Sequence, residues 1–242
     1  MTVLGVIPAR KGSERFPMKH HAPVLGKPLI TYTLEAAVSS KRLDRILVSS
    51  DDHGLRAIAT GHGVEFLERP PELAQATSAL DDALRHACRH LQEREAFVPD
   101  IVVAMQANVP IRVQGQVDTV IHRLEELREA TAVATARELR YRPEWAKVLV
   151  DERTGAVQPF LPGDHPYRKQ ELPRLYALDG AILAVRRTVL EETAGQRAAH
   201  AWLGPRLHVV PQADPVYSIE VDYPDEIPMV EYHLLRLKQG PR

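Results

Sequence analysis

The sequence predicts an α/β protein of the three-layer, Rossmann-like kind, with a mostly parallel or mixed central sheet and helices on both faces. Three observations carry this prediction. Short apolar runs recur along the chain, among them residues 3–7, 46–48, 101–105 and 131–135. Between them lie stretches whose apolar residues return every three or four positions, as in Leu80, Ala83, Leu84, Ala87, Cys88 and Leu91. The length, 242 residues, is enough for one substantial core. Strands alternating with helices at this spacing imply a sheet covered on both faces. Ligands of such sheets collect beyond the C-terminal ends of the strands. The whole chain, 1–242, is therefore expected to form one domain, with 141–173 as an excursion from it.

The first strand, Val3-Leu4-Gly5-Val6-Ile7-Pro8, runs into Ala9-Arg10-Lys11-Gly12-Ser13-Glu14-Arg15-Phe16-Pro17-Met18-Lys19. Gly12 permits unusual backbone angles, and Ser13 offers hydroxyl and amide donors. Turned N–H groups together with Arg10 and Lys19 suit a polyphosphate. The segment is neither G-x-x-x-x-G-K-[ST] nor G-x-G-x-x-G, so the Walker and dinucleotide arguments do not apply. Pro28 suits the first turn of a helix whose inner face carries Leu29, Tyr32, Ala36 and Ala37. A strand follows over 45–49, leading to Asp51. A short helix is expected over 53–60, stopped by Gly61 and Gly63, and then a strand over 64–67. The clearest helix starts near Thr77 or Ser78. Its spacing places Cys88 in the core, and a buried thiol without a partner is not an activated nucleophile. His86 and His90, four apart on that helix, read as surface residues.

The strand over 101–105 continues into Gln106-Ala107-Asn108-Val109-Pro110-Ile111-Arg112, followed by a helix carrying Val117, Val120, Ile121, Leu124 and Leu127. Arg10, Asp51, Gln106 and Asn108 all follow predicted strands and can converge. Residues 141–173 are richer in proline, with a strand-like run over 147–150 and a turn over 151–155; they read as a dimer arm or a substrate lid. Strands return over 178–185 and 207–210. Residues 218–222 alternate, which directs Glu220 and Asp222 to one side of a strand. Two such acids suit magnesium, which prefers carboxylate, phosphate and water oxygens. A last helix spans 225–238.

Lys plus Arg total 31 and Asp plus Glu total 32, a formal net charge of −1 that gives no case for nucleic acid as a partner. The single cysteine excludes an internal disulfide. No charged leader precedes an apolar signal stretch, and no segment is long and apolar enough to cross a membrane. A soluble cytoplasmic protein is expected.

The ordered set of motifs resembles the acylneuraminate cytidylyltransferases, which make CMP-activated sugar acids, over nearly the whole chain. Its parts are Ile7-Pro8-Ala9-Arg10-Lys11-Gly12-Ser13 with Pro17 and Lys19, Gly26-Lys27-Pro28-Leu29-Ile30, Val48-Ser49-Ser50-Asp51-Asp52, Arg69-Pro70-Pro71-Glu72-Leu73-Ala74, Asp179-Gly180-Ala181 and Ile219-Glu220-Val221-Asp222. The resemblance implies a nucleotide-diphospho-sugar transferase fold and a homodimer. It implies CTP and a 2-keto sugar acid as substrates, with a CMP-sugar and pyrophosphate as products. Arg10, Lys19, Glu220 and Asp222 then form the catalytic set, the two acids holding Mg2+. Ala9, Arg10, Gly12, Ser13, Lys19 and Arg69 line the nucleotide. Gln106, Asn108, Arg112 and Asp179, with Arg168 and Gln170 from the excursion, line the acceptor.

Several positions depart from the family pattern. Glu14 replaces a usual lysine, and the order Glu14-Arg15-Phe16-Pro17-Met18-Lys19 leans toward the related 3-deoxy-manno-octulosonate enzymes. Those enzymes carry aspartate where Asn108 stands. Residues 106–112 lack the usual sialic-acid pattern, and Ala76, Ala79 and Leu80 replace an aspartate and two serines. The expected acceptor is a nonulosonic or sialic acid; the alternatives are 3-deoxy-manno-octulosonate and another acidic acceptor such as a phosphonate. An alternative of a different class is a catalytically silent nucleotide-binding or assembly protein.

Overall fold

The structure, a computed structural model, describes residues 1–239. Its centre is a seven-stranded sheet. In chain order the strands are β1 (Val3–Pro8), β4 (Arg45–Ser50), β5 (Glu65–Glu68), β6 (Ile101–Ala104), β7 (Ala132–Glu138), β10 (Tyr176–Arg186) and β11 (Leu207–Pro211). Two short strands, β2 (Pro23–Val24) and β3 (Lys27–Pro28), pair with each other outside it, as do β8 (Lys147–Asp151) and β9 (Ala156–Pro159). Across the main sheet the order is β11-β7-β10-β6-β1-β4-β5. Pairing is parallel except for β10, which runs antiparallel to both β6 and β7. The sheet is thus mixed. The reason is local: after β7 the chain leaves the sheet, and it re-enters from the same end, with the Leu139 amide donating to the Leu175 carbonyl at 2.8 Å across the neck.

Helices α1 (Leu29–Val38), α2 (Gly54–Gly61) and α4 (Gln116–Glu126) cover one face. Ile30, Leu34, Leu55, Ala59, Val117, Val120 and Ile121 there meet Val3, Ile7, Val48 and Val103 of the strands. The opposite face takes α3 (Leu80–Glu95) and α5 (Arg187–Glu192), whose Leu84, Ala87, Leu91 and Leu190 pack with Trp202 on Leu4, Val6 and Val102. Cys88 is buried in this layer, and burial pushes its thiol up to about 12, as expected of a core residue. A third, smaller cluster joins Val24, Leu29, Ile111, Val216, Val221 and Val230, the last from α6 (Ile227–Lys238).

Several local expectations shift. Pro28 lies one residue before α1, in β3. α3 starts at Leu80 rather than Thr77 or Ser78, because the Ser78 hydroxyl is engaged in the preceding loop, donating to the Glu72 carbonyl and accepting from the Gln75 amide, both at 3.0 Å. Residues 218–222 are not a strand. A 3-10 turn, Pro215–Ser218, leads into them; their backbone link is the Val221 amide donating to the Asn108 carbonyl at 2.8 Å, and the Ser218 hydroxyl donates to Asp179 of β10 at 2.7 Å.

Between β7 and β10, β8 and β9 form a hairpin whose Val148, Leu149, Val150 and Val157 are exposed, as is the neighbouring Phe160. Among the described residues no helix is long and apolar enough to cross a membrane.

Candidate active site

The C-terminal ends of β1, β4, β5 and β6 lie side by side, and the chain continues past each of them into the site. Ala9 extends the β1–β4 pairing: its amide donates to the Ser49 carbonyl at 3.0 Å and its carbonyl accepts from the Ser50 hydroxyl. Those groups are spent on the fold. The Lys11 amide donates to Asp51 Oδ1 at 2.7 Å, which ties the basic loop to the end of β4. The Ser13 amide is also used, donating to the Lys11 carbonyl at 2.9 Å, so Ser13 brings its hydroxyl rather than both donors. Gly12 does not use the positive φ open to glycine. Its bare Cα instead faces Arg10, whose Nη1 would lie 3.9 Å from an added Cβ.

Arg69 follows β5. Its Nε donates to Ser49 Oγ at 3.2 Å and its Nη2 to the Ser49 carbonyl at 2.7 Å. Burial lowers this guanidinium to about 10, Asp51 opposes that shift, and Arg10 adds to it. It stays cationic at neutral pH, and the mutual influence puts Arg10, Asp51 and Arg69 in one neighbourhood.

The opposite flank is built from the two distant ends of the chain. Lys19 opens a 3-10 turn, Lys19–His21, entered through Met18 at φ 56°. Its Nζ lies 2.8 Å from Asp222 Oδ1, and Asn108 Nδ2 donates to the same oxygen at 3.1 Å. Glu226 accepts from the Asp222 and Tyr223 amides at 2.6 and 2.8 Å, which fixes the backbone behind the carboxylate. Burial works against ionisation of Asp222, but the bond to Lys19, its charge and the Asn108 amide outweigh it and hold the carboxyl below its ordinary value. Glu220 moves the other way, raised first by burial and then by the charge of Asp222. The two acids therefore sense each other without a strand to align them. Arg15 faces Asp222 and Arg137 faces Glu220, two neighbours that the sequence reading did not single out.

Two neighbouring carboxylates are a chemically suitable donor set for Mg2+, which commonly takes one or two carboxylates and completes its shell with phosphate and water; here Asp222 Oδ1 is held by Lys19 and Asn108. Among the described residues no three His, Cys, Asp or Glu side chains form a self-sufficient metal cage.

Gln106 follows β6, and its amide donates to the Gly180 carbonyl at 3.1 Å. Gly180 has φ 66°, and a Cβ there would fall 2.5 Å from Gln106 Cδ. Glycine is favoured here by the backbone angle, and its missing Cβ leaves room for the end of the Gln106 side chain.

Other predicted acceptor residues are used differently. Arg112 donates through Nε to the Ala181 carbonyl at 3.1 Å, through Nη1 to Thr33 Oγ1 at 2.8 Å and the Val109 carbonyl, and through Nη2 to the Gln106 carbonyl at 2.8 Å. Burial lowers it to about 9, partly offset by Asp179. Asp179 is fully buried and accepts from Thr135, the Ala181 amide, Gln212 and Ser218. Both brace the backbone behind the site, with their polar groups engaged within the chain. Arg168 and Gln170 lie exposed beyond the hairpin, and among the described residues neither side chain bonds to the Arg10–Asp222 cluster.

A basic loop, a buried arginine and a late acidic pair thus meet at one sheet edge, in the order the motifs suggested. The family model described as cytidylyltransferase matches residues 4–199. The chain belongs to the cytidylyltransferase family. These enzymes are CTP-dependent nucleotidyltransferases. One relative within the family, the CMP-N,N'-diacetyllegionaminic acid synthase of Legionella pneumophila, is 31% identical over 196 residues, 79% of this chain and 81% of that protein. An N-acylneuraminate cytidylyltransferase of Streptococcus agalactiae is 27% identical over 237 residues; the match takes in 97% of this chain but 54% of that longer protein. An 8-amino-3,8-dideoxy-manno-octulosonate cytidylyltransferase of Shewanella baltica is 34% identical over 125 residues, 52% of this chain and 48% of that protein. In fold, the chain is similar to a CMP:2-keto-3-deoxy-manno-octonic acid synthetase solved with CTP, at a TM-score of 0.71 and 20% identity, with 98% of this chain and 100% of that chain covered.

Proposed function

We propose that this cytidylyltransferase moves CMP from CTP to the anomeric hydroxyl of an acidic 2-keto sugar and releases pyrophosphate. The observation that carries the reading is the 2.8 Å contact between Lys19 and Asp222. It joins the phosphate-binding loop near the start of the chain to the acidic segment near its end, and the chemistry needs both at one place.

In this reading Arg10 and Lys19 hold the triphosphate, helped by the Ser13 hydroxyl. Arg69, fixed on Ser49, faces the cytidine side. Gln106 and Asn108 orient the acceptor. The acceptor oxygen attacks the α-phosphorus in line; that P–O bond forms as the bond to the β-phosphate oxygen breaks, pyrophosphate leaves with that oxygen, and the hydroxyl proton passes to solvent water. Holding the two substrates in line and neutralising the phosphates supply most of the acceleration. When bound, Mg2+ would add charge neutralisation on the phosphates, held by Glu220 and Asp222.

The acceptor we assign is a class rather than sialic acid in particular. Relatives named for legionaminic acid, acylneuraminate and an amino-octulosonate match at similar identity. The test is a pyrophosphate-release screen of CTP, UTP, GTP and ATP against eight- and nine-carbon 2-keto sugar acids and a phosphonate, with product mass. CTP-specific release with a sugar acid is expected. CTP binding without release from any acceptor would instead identify a silent nucleotide-binding protein. The double variant E220Q/D222N should lose Mg2+-dependent turnover by at least ~100-fold; near-normal turnover would remove both acids from the mechanism.

A further inference from the structure

The contact that joins the two halves of the site also sets up a competition. Lys19 Nζ sits 2.8 Å from Asp222 Oδ1, and the Asn108 amide takes the same oxygen at 3.1 Å. One carboxylate oxygen is therefore already claimed by two donors. The Lys19 side chain is only 14% exposed, so the ammonium is held in the site rather than loosely in solvent. An ammonium and a divalent cation are alternative partners for one carboxylate, and they repel each other when both approach it.

We propose that Lys19 is a resident counter-ion that keeps Asp222 closed to a divalent cation until a triphosphate draws the ammonium away. This inference rests on the reading above that Asp222 faces the cation. Asn108 supports the closed arrangement. It brings a donor to Asp222, where a carboxylate at the same position would have repelled it and favoured a cation. The switch needs no backbone movement: lysine is a compact charge on a flexible four-carbon stem. In the free enzyme Lys19 serves Asp222, and with nucleotide it serves phosphate, as a second positive charge takes its place on the acid. Linkage makes the effect reciprocal, so a cation at Asp222 frees Lys19 for phosphate by the same factor by which phosphate opens Asp222 to the cation. The consequence is a site that binds metal and nucleotide together and neither ion well alone.

The test uses Mn2+ as a spectroscopic probe, titrated by EPR into the full chain without CTP or acceptor. K19M, which keeps the stem and removes the charge, should bind Mn2+ at least ~10-fold more tightly than the unmodified protein, a change of about 1.4 kcal/mol. K19R should restore weak binding, and the gain should vanish in K19M/D222N. Unchanged affinity in K19M, or a gain that survives in K19M/D222N, overturns the proposal. A second measurement needs no variant: acetylation of Lys19, followed by mass spectrometry, should rise as Mg2+ alone is raised to a concentration that displaces EPR-detected Mn2+ from the site, and a flat response at that occupancy overturns the proposal. Adding CTP separates this inference from the one beneath it. If D222N weakens Mn2+ binding to the CTP-loaded protein while K19M shows no gain without CTP, the competition alone fails. If D222N leaves that binding unchanged, the cation reading fails with it.

Discussion

At the scale of single residues, Gly180 and His20 show how side chains behind the site control it. Gly180 combines φ 66° with Gln106 packed on its Cα face. In G180A the left-handed backbone should cost roughly 1–2 kcal/mol. The clash is with the end of a flexible side chain, so Gln106 swings away rather than the sheet deforming. The expected result is a modest loss in chemical denaturation, a several-fold rise in acceptor KM, and an unchanged KM for CTP. His20 was not singled out in the sequence. In the structure it is buried with its Nδ1 unpartnered, and burial first, then the charges of Lys19 and His21, push its pKa down to about 3. It folds neutral. Its contribution is complete above the unfolded value near 6.5 and drains away as pH falls toward 3, because the unfolded chain takes up the proton first. Stability should drop by about 2 kcal/mol between pH 7 and pH 5 from this group alone. H20Q should flatten that slope in denaturation curves at the two pH values; an identical slope would assign the acid sensitivity elsewhere.

At the scale of elements, most of the sheet was readable because its strands are short apolar runs set off by amphipathic helices. β1, β4, β6 and β11 fall within a residue or two of their predicted positions. Direction was not readable. β10 is as apolar as its neighbours, and nothing in an apolar run records whether the strand runs up or down. The 218–222 segment misled for the converse reason: alternation is compatible with a strand, but a single backbone bond from Val221 to Asn108 leaves the segment irregular. Arg112 shows the same ambiguity in a side chain. A cation after a strand reads as a ligand contact, yet its donors brace β6, α1 and β10 through Gln106, Thr33 and Ala181. R112L should therefore lower stability by roughly 3 kcal/mol or more, since it leaves several enclosed acceptors without donors. Little change in stability with a large rise in acceptor KM would return Arg112 to the substrate.

At the scale of the whole molecule, the convergence of the basic loop with the strand ends was legible, and the place of the excursion was not. Arg10, Lys19, Asp51 and Arg69 follow strand ends or lie in the opening loop, so topology alone converges them. Arg168 and Gln170 sit on the excursion, where their position depends on what that segment packs against. The excursion itself is unfinished as a folding unit. Its hairpin exposes Leu149 at 54%, Val150 at 52%, Val157 at 55% and Phe160 at 56%, and Tyr167 beyond it is 95% exposed. A two-stranded hairpin is marginal on its own, and Leu149 and Val157, paired across it and both exposed, present apolar surface of the kind that marks an interaction. A second copy of the chain is the occupant we predict, since it would bury the hairpin and could bring Arg168 and Gln170 against a neighbouring acceptor site. Light-scattering mass should be twice that of the chain at micromolar concentration. L149D/V157D, which places charge on the hairpin without touching the Arg10–Asp222 cluster, should shift the protein to monomer. If the arm completes the partner's acceptor site, the same variant should raise acceptor KM at least several-fold while the KM for CTP stays constant. A concentration-independent monomer with full activity would make the excursion a lid acting within its own chain.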